Sequence, residues 1–105
     1  MIDKESIIYD LKFIDSMRQH GASPNVDDYW KRTIDMLTEN EENTKKFLNN
    51  CSDWELYHLS EILEEVAFKF QSKHFIEFLK ELNKNHPNSD MTEDIKWAEQ
   101  AIQED

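Results

Sequence analysis

A single glycine, Gly21, and two prolines, Pro24 and Pro87, punctuate 105 residues. Strand-rich folds reverse the chain tightly and often, and the positive φ angles of those reversals fall mostly to glycine. Usage this low leaves helices joined by short connections as the architecture within reach. The length suits one domain and is too short for two ordinary ones. Three Trp, three Tyr and six Phe supply the bulk of a core. The expectation is an all-α fold, a compact bundle of five or six short helices, with residues 1–105 forming a single helical domain.

Apolar spacing divides the chain into those helices. From Asp3 to Gln19, Ile7, Leu11, Ile14 and Met17 form one stripe with Ile8 beside it. His20-Gly21-Ala22-Ser23-Pro24 then reads as a helix stop. A second helix is predicted from Val26 to Glu39, with Asp27 as N-cap and Trp30, Ile34 and Leu37 on one face, Tyr29 and Thr33 beside them. A short third helix starts at Asn40 or Glu41 and runs through Asn49, with Phe47, Leu48 and then Cys51 as its apolar content. The fourth opens on a capping box, Ser52-Asp53-Trp54-Glu55, in which Ser and Glu side chains satisfy free backbone N–H groups. Leu56, Leu59, Ile62, Leu63, Val66, Ala67 and Phe70 give it a face wide enough for several neighbours. Gln71-Ser72 breaks the pattern, with Ser72 as the next cap. Phe75, Phe78, Leu79 and Leu82 line the fifth helix to Asn85. After a loop at His86-Pro87-Asn88-Ser89, Asp90-Met91-Thr92-Glu93 repeats the cap-to-N3 pattern, and Met91, Ile95, Ala98 and Ile102 face inward.

One cysteine, Cys51, allows no internal disulfide, which fits a reducing compartment. Asp3, Glu5, Asp10 and Asp15 interrupt the N-terminal apolar residues where a secretory leader would carry none. No apolar run approaches the roughly 20 residues that span a bilayer. A cytoplasmic location is therefore expected. The formal net charge is −11, from 23 acidic and 12 basic residues. Such a field repels nucleic acid and anionic membranes and attracts a basic partner, although acidity also serves plain solubility.

The acidity is partitioned along the chain. Asp35, Glu39, Glu41 and Glu42 lie between Thr33 and Thr44 with no basic residue among them. Asp53, Glu55, Glu61, Glu64 and Glu65 lie between Ser52 and Phe68, again without a basic residue. In contrast, Lys69, Lys73, Lys80 and Lys84 outnumber Glu77 and Glu81 around the fifth helix. On a continuous fourth helix, Trp54, His58, Glu61 and Glu65 would share one stripe. An aromatic heading a row of acids suits a binding hot spot with electrostatic guidance. The alternative is that Trp54 covers the bundle edge and the acids only face solvent. The candidate partner-binding residues are Asp53, Trp54, His58, Glu61, Glu64 and Glu65, with Asp35, Glu39, Glu41 and Glu42 as a second patch.

Catalytic patterns fail on their own terms. Glu55-Leu56-Tyr57-His58 is one Glu-x-x-His pair, whereas helical di-iron sites need two pairs and two further carboxylates. His20, His58, His74 and His86 lie in different segments, without the close spacing of metal-binding pairs. Cys51 precedes a helix start, which lowers a thiol pKa, but Asp53 and Glu55 oppose that effect. One glycine cannot build a phosphate loop. No enzyme activity, metal or cofactor is expected. A DNA mimic would need carboxylates in a double row of fixed pitch, an arrangement of the folded surface rather than of the sequence.

Trp54-Glu55-Leu56 through Leu63-Glu64-Glu65, Phe70-Gln71-Ser72-Lys73-His74-Phe75-Ile76 and Asp94-Ile95-Lys96-Trp97-Ala98 give the C-terminal half a family likeness. It resembles the small immunity proteins of bacterial contact-dependent growth inhibition and related polymorphic-toxin systems. The resemblance implies a cytosolic antidote that binds a cognate toxin domain, often a nuclease, and occludes its active site. Nuclease toxins are basic because they hold nucleic acid, so an acidic inhibitor suits them. Two other readings stay open: a helical adaptor or regulatory subunit that binds a partner through an apolar groove, and a small metal or cofactor enzyme.

Overall fold

The computed structural model describes residues 2–19 and 27–102. Among these residues there are helices and turns and no strand. The helices are α1 (Lys4–Gln19), α2 (Asp27–Leu37), α3 (Glu41–Asn49), α4 (Asp53–Leu59), α5 (Leu63–Phe70), α6 (Lys73–Asn85) and α7 (Thr92–Ala101). The 3-10 turn Ser60–Ile62 joins α4 to α5, and a second one, Pro87–Ser89, leads towards α7. Counting α4 and α5 as one jointed rod gives six helical bodies, an all-α bundle.

Local chemistry sets most of the boundaries. Asn40 caps α3 by accepting the Asn43 N–H at 2.9 Å. Both arms of the capping box close at α4: the Ser52 N–H donates to Glu55 Oε1 (2.8 Å) and the Glu55 N–H to Ser52 Oγ (3.2 Å). Ser72 caps α6 through the Phe75 N–H, and its own hydroxyl donates to Glu41 of α3. Gln71 ends α5 in the left-handed region, with φ 48°. It holds that conformation with its side chain as a brace, donating to the carbonyls of Phe68 (2.6 Å) and Ala101 (3.1 Å).

Four features depart from the expectations set by the sequence. The rod from Ser52 to Phe70 is not continuous. Ser60 Oγ donates back to the Tyr57 carbonyl (2.6 Å), Ile62 takes φ −111° and ψ 3°, and the turn tightens to 3-10 geometry. Asp90 does not cap α7. It adopts φ 55°, and Met91 precedes the helix with no side-chain cap bond. Asp27 is the first helical residue of α2 rather than the residue before it, and α2 ends at Leu37, short of Glu39. The expected stop at residues 20–24, and Val26, lie outside the described residues.

The core is continuous across the elements. Ile7 and Leu11 of α1, Leu37 of α2, Leu48 of α3, Leu56 and Leu59 of α4, Leu63 and Val66 of α5, Phe75 and Leu79 of α6, and Met91 and Ala98 near α7 are all at most 2% exposed. Helix α5 is the hub: it packs most extensively on α7 and also against α6 and α2, while α4 rests on α1 and on the Pro87–Ser89 turn. Helices α5 and α7 run parallel. Gln71 meets Ala101 at their C-terminal ends, and Ser60 lies beside Asp94 at the other.

One buried carboxylate breaks the stripe of α1. Asp10 is 3% exposed, and Arg32 of α2 reaches it with Nη2 at 3.0 and 3.1 Å from its two oxygens. The guanidinium lies 5.0 Å from the Tyr29 ring centre, and Tyr29 stacks on Phe13 of α1. Ion pair and ring stack together clamp α2 to α1.

Candidate protein-binding surface

The expected site residues fall in three places. At the head of α4, Asp53 accepts a short contact from His86 Nδ1 (2.6 Å), which ties the helix start to the chain just before Pro87. Trp54 stays 40% exposed, and His58, one turn on, is 6% exposed beneath it. The His58 ring sits edge-on to Trp54 and Tyr57, at 4.5 and 5.2 Å between ring centres, with Nε2 3.7 Å from Asp15 of α1. Trp54, His58, Glu61 and Glu65 therefore do not make one exposed stripe: His58 is buried beneath Trp54, and it and Glu61 are turned to Asp15 and Arg18 of α1.

The second place is the turn and the first half of α5. Arg18 from the end of α1 grips Glu61 with both terminal nitrogens, one of them 2.8 Å from Oε2. That contact, reinforced by the Glu61 charge, raises the Arg18 pKa further. Glu64 and Glu65 are exposed. Glu61, Glu65 and Asp35 line a cleft of about 670 Å³ between α1, α2 and α5, together with Arg18, Lys31 and Lys69. Its apolar lining is Trp30, Ile34 and Ile62. Charges of both signs rim this cleft, so Asp35 belongs with the α5 acids in space although the sequence separates them.

The third place is the α2–α3 corner. Glu39 is exposed. Glu41 accepts from the Ser72 hydroxyl and pairs with Lys45 at 3.2 Å, and Glu42 shares the same lysine at 3.4 Å. The hydrogen bond that Lys45 donates to Glu41 is the main cause raising the Lys45 pKa. This patch is engaged in holding α3 together and against α6.

Folding also leaves outside a set of aromatic residues that the charge pattern did not single out. Tyr57, Phe68 and Trp97 are 52%, 54% and 52% exposed. Glu64, Glu65 and Phe68 of α5, with Lys69 and Ala101, line a shallow groove of about 220 Å³ between α5 and α7. Trp97 lies one helical turn before Ala101, on the same side of α7. The other side of α7 is different: Lys80 and Lys84 of α6 and Lys96 of α7 line that groove, with Glu99 as its acid. Helix α7 thus separates an acidic, aromatic groove from a basic one. A signal for this exists in the sequence, since Phe68 and Trp97 fall off the apolar stripes of their helices.

Two titrating groups bear on chemistry. Burial, and then the Glu55 charge, push the Cys51 thiol up to about 12, and its Sγ donates to the Phe47 carbonyl at 3.3 Å. It is a buried thiol held in its protonated form. The Asp94 pKa is raised, first by burial and then by the negative charges of Asp90 and Glu61. The Ser60 hydroxyl beside it acts the other way, but its proton is committed to the Tyr57 carbonyl. Among the described residues no group of three or more His, Cys, Asp or Glu side chains is placed to hold a metal ion.

No family model, curated protein or solved structure matches this chain. Among the described residues no helix is long and apolar enough to cross a membrane.

Proposed function

We propose that this chain is a protein-binding module of the immunity type, which docks on a basic toxin domain, of nuclease class, and covers its active site in the cytoplasm. The observation that carries the reading is the surface of α4, α5 and α7, where Tyr57, Phe68 and Trp97 stand more than half exposed and Glu64 and Glu65 line the groove beside Phe68. Aromatic anchors supply contact energy when a partner removes them from water, and surrounding carboxylates select a cationic partner and speed its approach. Carboxylates here would pair with the Lys and Arg side chains that otherwise hold substrate phosphates. The net charge of −11 supports the same partner chemistry. The test is co-expression with basic nuclease toxin domains from the same genome. Protection of the cells, with a stable complex of the two purified proteins, supports the reading. Undiminished killing beside a folded chain refutes it.

A second reading, an adaptor or regulatory subunit that takes an apolar segment of a different partner, would use the α1–α2–α5 cleft, where the half-buried Trp30 supplies the apolar surface because Ile34 and Ile62 are 6% and 2% exposed. Salt separates the two: an apolar groove binds with affinity nearly flat in ionic strength, whereas a charge-guided face loses affinity as salt rises.

A further inference from the structure

We infer that the α5–α7 groove is a seat for arginine, in which a guanidinium from a basic segment of the partner protein stacks between Phe68 and Trp97 and pairs with Glu64 and Asp94. The inference rests on the reading of the chain as a protein-binding module and names the part of the surface that does the recognising.

Three observations converge. First, Phe68 and Trp97 are 54% and 52% exposed, on two parallel helices that form the closest packed pair in the fold. The packing of α5 on α7 sets where their backbones stand, so binding has side chains rather than helices to order. Exposed aromatic faces attract flat cations, guanidinium above all, through the ring quadrupole. Second, each helix carries an acid one turn before its exposed ring. Glu64 lines the groove one turn before Phe68, and Asp94 precedes Trp97 by one turn on α7. Glu64 has no ion-pair or hydrogen-bond partner among the described residues, unlike Glu61, which Arg18 already occupies. The neighbouring charges that act on Asp94, those of Asp90 and Glu61, are both negative. An incoming cation relieves that repulsion. Third, the lysines of this region lie elsewhere: Lys80, Lys84 and Lys96 line the opposite groove, leaving Lys69 as the cation at the rim of this one. A second copy cannot dock acidic groove on acidic groove without like-charge repulsion, and on its opposite groove Lys80 and Lys84 are already paired with Glu99 and Glu81.

The test uses the full chain, labelled with nitrogen-15, and a capped Arg-Ala-Ala-Arg peptide as probe. The counterpart with citrulline at both arginine positions keeps the shape and removes the charge. A Trp97→Phe variant assigns the Trp97 indole N–H signal. The expected result is saturable movement centred on that indole and on the amides of Glu64, Phe68 and Asp94, with no such movement for the citrulline peptide. Trp97→Ala weakens the apparent affinity roughly two- to fivefold, Trp97→Phe weakens it less because a ring remains, and Glu64→Gln weakens it with the fold unchanged by circular dichroism. Equal shifts at the backbone amides of Glu41 and Glu42 in α3, the same response to citrulline, or spectra that change on dilution without peptide would each overturn the proposal. The peptide carries no toxin sequence, so the two failures separate. Arginine binding at this groove without protection of cells removes the immunity reading alone. Protection with this groove unperturbed in the complex removes the arginine seat alone.

Discussion

Replacing Arg32 by alanine tests how the first two helices are held, and the structure sets the size of the effect. Asp10 keeps 4% of its side-chain surface exposed, while the Arg32 side chain keeps 61%. The carboxylate is therefore the desolvated partner, and the guanidinium reaches it from the surface with contacts of 3.0 and 3.1 Å. Hydrogen bonds to a charged group contribute about 1.5–3 kcal/mol, and leaving a buried charge unpaired costs more. The exposure of Arg32 screens part of that, so Arg32→Ala should destabilise by about 2 kcal/mol. In a domain of this length such a loss lowers Tm by about 8–16 °C. Asp10→Ala should cost less, below about 1 kcal/mol, because the released guanidinium turns into water and alanine is the better helix former. In the Asp10→Ala background, Arg32→Ala removes little beyond its contact over the Tyr29 ring, about 0.5 kcal/mol. Urea unfolding of the four proteins closes the cycle. If Arg32→Ala costs no more than Asp10→Ala, the buried carboxylate does not depend on its partner and the clamp is misread.

Further consequences concern caps, titration and the thiol. Ser52→Ala opens the capping box at α4 and should cost about 1 kcal/mol in chemical denaturation. Asp94 has its pKa raised by folding, so the folded state holds a proton more tightly than the unfolded chain does. Stability then falls as pH rises from the unfolded carboxyl value through the folded one, and the penalty is fully present at neutral pH. Asp94→Asn should therefore raise Tm at pH 7, with the gain disappearing in acid, while weakening the arginine peptide. Asp90→Gly relieves a left-handed backbone, φ 55°, and removes a like charge beside Asp94, so it should also raise Tm. Cys51, with its pKa near 12 and 5% exposure, should react with a thiol reagent orders of magnitude more slowly than in urea.

The helices are legible where one segment contains its own instructions. Ser52 with Glu55, Asn40 and Ser72 cap their helices because each finds its partner within three residues. The stripe through Leu56, Leu63 and Val66 points inward because spacing alone determines a helix face. The hidden features depend on partners distant in sequence or on competing local bonds. Ser60 diverts its hydroxyl to Tyr57 and tightens the turn, yet the apolar pattern runs through it unbroken. Asp90 resembles a cap in sequence, but the preceding 3-10 turn delivers it in a left-handed conformation. Asp10 looks like a solvated acid until Arg32, 22 residues away, comes against it. The charge blocks hold as composition but describe the surface incompletely. Arg18 covers Glu61, His86 covers Asp53 and Lys45 ties up Glu41 and Glu42. Phe68 and Trp97 count towards the aromatic supply of a core, although their places off the apolar stripes mark them as surface residues.

The proposed docking face is tested most directly by the affinity of the purified chain for a basic toxin domain across ionic strength, alongside the triple variant Glu64→Gln, Phe68→Ala, Trp97→Ala. The predicted result is tight binding at low salt that weakens steadily as salt rises, and a loss of at least about 30-fold in the triple variant, the size expected when central anchors are removed. Affinity that is flat in salt and indifferent to those three substitutions would contradict it.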